Sequence, residues 1–169
     1  MPNCSFMTFI RTKKIKKKEY AYLVESNWDP ETKRPRQTVK NYLGLCVRLK
    51  DIEALPQLEQ APNFQGMVRT LFCALLEQNG FIPSDGKMIR EEIVVDLNQG
   101  TVLQKKRPCV LKSWDGYVCN LTLHAVLQFK PEGIEEEAGR DLAHALRDAG
   151  LKVSPEIFIA LFEMVYREI

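Results

Sequence analysis

Long apolar runs are missing from this chain, and their absence excludes a first class of function. No window approaches about 18 uninterrupted apolar residues, so no membrane-spanning helix is expected. The opening Met1-Pro2-Asn3-Cys4-Ser5-Phe6 lacks a basic start followed by an apolar stretch, so no signal peptide is read and the chain is placed in the cytoplasm. Close cysteine pairs are missing as well. The five cysteines, Cys4, Cys46, Cys73, Cys109 and Cys119, are scattered, odd in number and without a C-x-x-C spacing. A secreted disulfide framework wants an even set and a zinc site wants near pairs, so reduced, mostly buried thiols and no metal are expected. Histidine is scarce: His124 and His144 fall on different expected elements, neither with a partner at ligand or triad spacing. Neither G-x-x-x-x-G-K-[ST] nor G-x-G-x-x-G occurs, so nothing signals a nucleotide cradle or a cofactor.

What is present is ordinary in total and uneven in place. Of 169 residues 45% are hydrophobic and 27% charged, the balance of a globular chain. The net charge of +2 hides a division: residues 1–50 hold 12 Lys/Arg against 4 Asp/Glu, and residues 51–169 hold 12 against 18. A segment at +8 on a body at −6 points to a polyanion-binding end. The reading is a basic meander over 1–50 and an α+β body over 51–169, the two forming either separate modules or one continuous domain.

The local patterns predict an α+β fold: a basic three-stranded antiparallel meander, a central helix, a small antiparallel sheet and a helical C-terminal half. Phe6–Arg11, Tyr20–Ser26 and Arg34–Tyr42 are rich in branched and aromatic residues and read as strands, with Asn27–Thr32 as a turn and Gly44 as a stop. Leu45–Leu58 reads as a short helix and connector. Phe64–Asn79 has helical apolar spacing and ends at Gly80. Pro83–Gly86 reads as a turn, Ile89–Leu97 and Thr101–Lys106 as strands joined by Asn98-Gln99-Gly100, and a second hairpin turns at Asp115-Gly116. Leu121–Phe129 alternates like a strand but reads as a short helix capped by Asn120. Ile134–Ala149 is a helix with Glu135, Glu136 and Glu137 at its positive end, and Ser154-Pro155-Glu156 opens a last helix. That helix is apolar over more than a narrow stripe, so it is expected to be deeply buried or covered by a partner, as in a homodimer.

The basic meander carries the functional expectation. Arg11, Lys13, Lys14, Lys16, Lys17, Lys18, Lys33, Arg34, Arg36 and Lys40 would hold phosphates, while Tyr20, Tyr22 and Trp28 interleave aromatics able to meet bases. This expectation requires the cations to converge on one face. The competing explanation is a solvated hairpin whose lysines discourage edge-to-edge pairing. The segments Phe9–Lys14, Tyr20-Ala21-Tyr22-Leu23-Val24-Glu25-Ser26 and Arg36-Gln37-Thr38-Val39-Lys40-Asn41-Tyr42-Leu43-Gly44 resemble the amino-terminal β-meander of insertion-sequence DDE transposases. In those proteins the meander precedes the catalytic domain and engages DNA. The resemblance spans residues 6–44; it implies DNA rather than RNA as partner and a link to mobile-element machinery.

It also raises a nuclease reading. A transposase core begins with a strand ending in a metal-binding aspartate, and Asp96 before Asn98-Gln99-Gly100 has that look. Two-metal chemistry needs several convergent carboxylates, and after Asp96 and Asp115 no strand pattern offers another. The expectation is therefore a small non-enzymatic nucleic-acid-binding or accessory protein with no catalytic residues. The alternatives are an assembly module that dimerises through its last helix, and a metal-dependent nuclease.

Overall fold

In the computed structural model, which describes residues 7–51 and 61–167, the chain is an α+β protein built on one mixed sheet. Three strands open it: β1 (Met7–Ile15), β2 (Lys18–Asp29) and β3 (Arg34–Arg48). They form the expected antiparallel meander, with Ile15 opposite Lys18 across a two-residue hairpin and Asp29 opposite Arg34. Asp29 shapes the second turn by accepting the N–H groups of Glu31 (2.9 Å) and Thr32 (3.4 Å).

The expected helix over Leu45–Leu58 is overturned at its start, because β3 runs on to Arg48; residues 52–60 lie outside the described residues. Leu45 to Arg48 pair in parallel with Cys109 to Lys112, and this pairing takes precedence over local helix propensity. Gly44 is accordingly not a stop. Its φ is 129°, and a Cβ there would overlap the carbonyl of Pro108, so only glycine lets the incoming strand approach.

Helix α1 (Phe64–Gln78) follows, capped by Asn63, whose side chain accepts the N–H of Gly66 at 2.7 Å. It buries Phe64, Val68, Leu71, Phe72, Leu75 and Leu76. The chain then weaves β4 (Ile82–Ser84), β5 (Lys87–Arg90), β6 (Ile93–Asp96), β7 (Thr101–Gln104), β8 (Arg107–Ser113) and β9 (Gly116–Val118). The single strand expected over Ile89–Leu97 is thus two, because Glu91 takes a left-handed φ of 53° and the chain reverses there. The last hairpin turns at Trp114-Asp115, one residue early; Gly116 pairs with Ser113 in β9, where a Cβ would overlap the Arg147 carbonyl and only glycine fits. Across the sheet the strands run β1-β2-β3-β8-β7-β6-β5-β4, with β9 also on β8. The meander and the body therefore share one hydrogen-bonded sheet.

Three helices complete the chain: α2 (Asn120–Leu127), α3 (Glu135–Asp148) and α4 (Pro155–Arg167). The N-cap of α2 is Cys119 and not Asn120, whose side chain accepts the Val102 N–H at 2.7 Å and ties α2 to β7. The helices pack on the body strands: α1 on β5, α2 on β7 and β9, α3 on β9. The main core lies between these helices and the sheet. A second, smaller core of Ala21, Cys46, Val110 and Cys119, flanked by Ile10, Leu43 and Tyr117, holds the meander to the body.

Candidate nucleic-acid interface

In a strand, successive side chains point to opposite faces, and cross-strand partners share one. The even positions of β2 carry Lys18, Tyr20, Tyr22, Val24, Ser26 and Trp28, and their β1 partners include Arg11 and Lys13. The odd positions carry Glu19, Glu25 and Asp29. Every strand carboxylate of the meander therefore lies on one face, and the tyrosines lie on the other.

The twelve expected contact residues are divided by this rule. Arg11, Lys13, Lys18, Tyr20 and Tyr22 come together on the tyrosine face. Lys14 pairs with Glu19, and Arg34 and Arg36 pair with Asp29 and Asn27, on the acidic face. Lys40 sits at a bulge and bonds Glu25 at 2.6 Å. Lys16 and Lys17 form the β1–β2 turn, and Lys33 lies in the β2–β3 turn. The two turns are separated by the 12 residues of β2, which at about 3.3 Å per residue is about 40 Å. A single face holding all ten cations is therefore not what the chain builds. On that face the three strand carboxylates are outnumbered by Lys14, Arg34, Arg36, Lys40 and Arg48. Glu19 accepts from Arg48 at 3.3 Å and lies 3.9 Å from Lys112, and a hydrogen bond from Thr12, helped by these cations, holds its carboxyl below the ordinary 4.5.

The tyrosine face has what the sequence did not show. Tyr42, opposite Tyr22, completes a cluster with ring centroids 5.4 Å from Tyr22 and 6.3 Å from Tyr20. Partial burial beside these two phenols pushes the Tyr42 hydroxyl above its ordinary value, while Arg107 pulls it back down. Arg107 is the first residue of β8, directly after the Lys105-Lys106 turn, and the β3–β8 pairing carries it alongside the meander. A groove of about 780 Å3 is lined by Lys18, Tyr20, Tyr42, Lys105 and Arg107 with Glu92, and Glu92 is itself 3.4 Å from Lys105. A second hollow of about 440 Å3, lined by Arg11, Lys13, Tyr22 and Val24, lies on the same face. Arg11 is steadied there by donating to Gln37 at 2.7 Å.

No family model matches this chain, and no curated protein or solved structure matches it either.

The other candidates resolve into structural roles. Asp96 accepts the N–H groups of Asn98 and Gln99, both at 3.0 Å, and lies 3.9 Å from Lys87, so its carboxylate shapes the β6–β7 turn. Among the described residues no three His, Cys, Asp or Glu side chains group closely enough to hold a metal ion. His124 and His144 are both exposed. Cys46, Cys73, Cys109 and Cys119 are free thiols; burial pushes Cys46 up to about 11 and Cys109 to about 12. No described helix is long and apolar enough to cross a membrane.

Proposed function

We propose that this protein binds nucleic acid, without catalysing a reaction on it, through the tyrosine face of its N-terminal meander. The observation that carries the reading is charge segregation. Arg11, Lys13 and Lys18 share a face with three tyrosines and no strand carboxylate, and the β7–β8 hairpin brings Lys105 and Arg107 beside it. Such a surface attracts phosphates and offers rings to bases. Resemblance of the first strands to insertion-sequence transposases supports DNA as the natural partner and an accessory role in mobile-element machinery. The free thiols support a reducing, cytoplasmic compartment.

A mobility-shift titration at rising salt tests the reading. With about five phosphates neutralised, the logarithm of affinity should fall against the logarithm of salt with a slope of about −4. Reversing charge at Arg107→Glu, which lines the groove, should weaken binding, while Lys33→Glu in the distant β2–β3 turn should leave it nearly unchanged. Absence of any salt-sensitive shift at micromolar protein would end the proposal.

One observation favours a second reading, an assembly module that pairs through α4. That helix buries Leu161 and Val165, but leaves Phe158, Phe162 and Tyr166 half-exposed in a row of touching rings and Ile159 56% exposed. A dimer mass by light scattering that collapses with Phe162→Ser would support it; a monomer at all concentrations would remove it.

A further inference from the structure

Resting on the nucleic-acid reading, we infer that the ligand of the tyrosine face is an unpaired strand, its bases laid on the rings of Tyr20, Tyr22 and Tyr42. A phenol ring can stack only on a base whose own face is free, and in a duplex those faces are covered by neighbouring base pairs. The tyrosine rings are tilted at 43° and 50° to one another and not stacked in pairs, and Tyr42 is 58% exposed. Tyr42 therefore offers most of its ring to solvent, with Tyr20 and Tyr22 half-buried beside it.

The cations are placed to match. Arg11 and Lys13 stand on edge strand β1, and the Lys105–Arg107 turn stands beyond β3, with the tyrosines between them. Three to four strand spacings separate these walls, about 14–19 Å, which leaves room for one backbone with its bases turned inward. Among the described hairpins this turn alone holds two successive non-glycine residues at left-handed φ. Lys105 and Lys106 both take left-handed φ values, 49° and 63°, in a two-residue hairpin. The same protein closes its β4–β5 hairpin with Asp85-Gly86 at 49° and 75°, the residue types such a turn favours. Two lysines in the equivalent strained position carry a backbone penalty that the Asp-Gly turn avoids, and of the two Lys105 lines the groove, 3.4 Å from Glu92.

The test measures fluorescence anisotropy of the full chain with four probes of one length: labelled oligothymidylate, oligouridylate, an abasic DNA backbone and a blunt duplex. We expect at least one base-bearing single strand to bind about tenfold tighter than the abasic strand and the duplex. The order of the DNA and RNA strands then names the source. Tyr42→Thr, which keeps strand propensity, should remove that tenfold advantage and leave abasic binding unchanged, and Tyr42→Phe should retain it. Duplex binding as tight as single-strand binding, or indifference to Tyr42→Thr in a protein of unchanged circular dichroism, overturns the single-strand inference alone. Failure of all four probes to bind overturns the underlying function as well.

Discussion

At the scale of single residues, the sharpest contrast is between two kinds of ionisable group. Glu19 is held charged by Thr12, Arg48 and Lys112, so its pKa is lowered from 4.5. A lowered carboxyl contributes stability that is whole above the unfolded value and is lost as pH falls through the folded one. Urea stability should therefore fall below about pH 4.5, and Glu19→Gln should flatten that acid limb. The thiols behave oppositely. Burial raises Cys46 to about 11 and Cys109 to about 12, so their neutral forms favour folding below the ordinary 9.0 and that contribution declines as pH climbs above it. Native protein near neutral pH should leave both unlabelled by N-ethylmaleimide, and labelling should appear only in urea. Rapid native labelling of Cys109 would contradict its burial.

At the scale of elements, the turns hold the informative exceptions. Three hairpins here follow familiar chemistry: Asp29 and Asp96 bond the amides that follow them, and Asp85-Gly86 accepts left-handed φ. Lys105-Lys106 does not. Replacing the pair with Asn-Gly should raise stability by about 1 kcal/mol, as turn strain is released, while weakening nucleic-acid binding. Opposite movement of melting temperature and affinity is the result to look for; a joint fall would mean that the lysines are structural. The elements were also where sequence reading succeeded most. The periodicity of Phe64–Asn79 and the capping signals at Ser154-Pro155 placed α1 and α4 within a residue or two, because a helix announces itself through neighbours three and four apart. The split of the strand over 89–97 was hidden, since Glu91 is not a residue that advertises positive φ.

At the scale of the whole molecule, the decisive contact was illegible locally. The α+β class and the meander could be read from alternation and turns, and Arg11, Lys13, Lys18, Tyr20 and Tyr22 were within reach. Lys105, Arg107 and Tyr42 were not assigned, because only the parallel pairing of β3 with β8 brings the body's turn to the meander's face. The sole trace was Gly44, first read as a stop. Gly44→Ala would force a Cβ against Pro108 at a backbone angle that alanine rarely adopts, and should cost at least about 2 kcal/mol. Denaturant titration checks this, and an unchanged midpoint would mean that the strands have room to separate. The same substitution should weaken binding even though no charge is altered.

That junction also orders events in time. Residues 45–48 cannot find residues 109–112 until some sixty intervening positions have been made, and non-local parallel pairing is slow to form. An emerging chain would display its eight excess positive charges long before the opposing wall arrives. Nonspecific polyanion attraction should thus precede discriminating recognition during biogenesis, and an isolated 1–51 peptide should show the former without the latter.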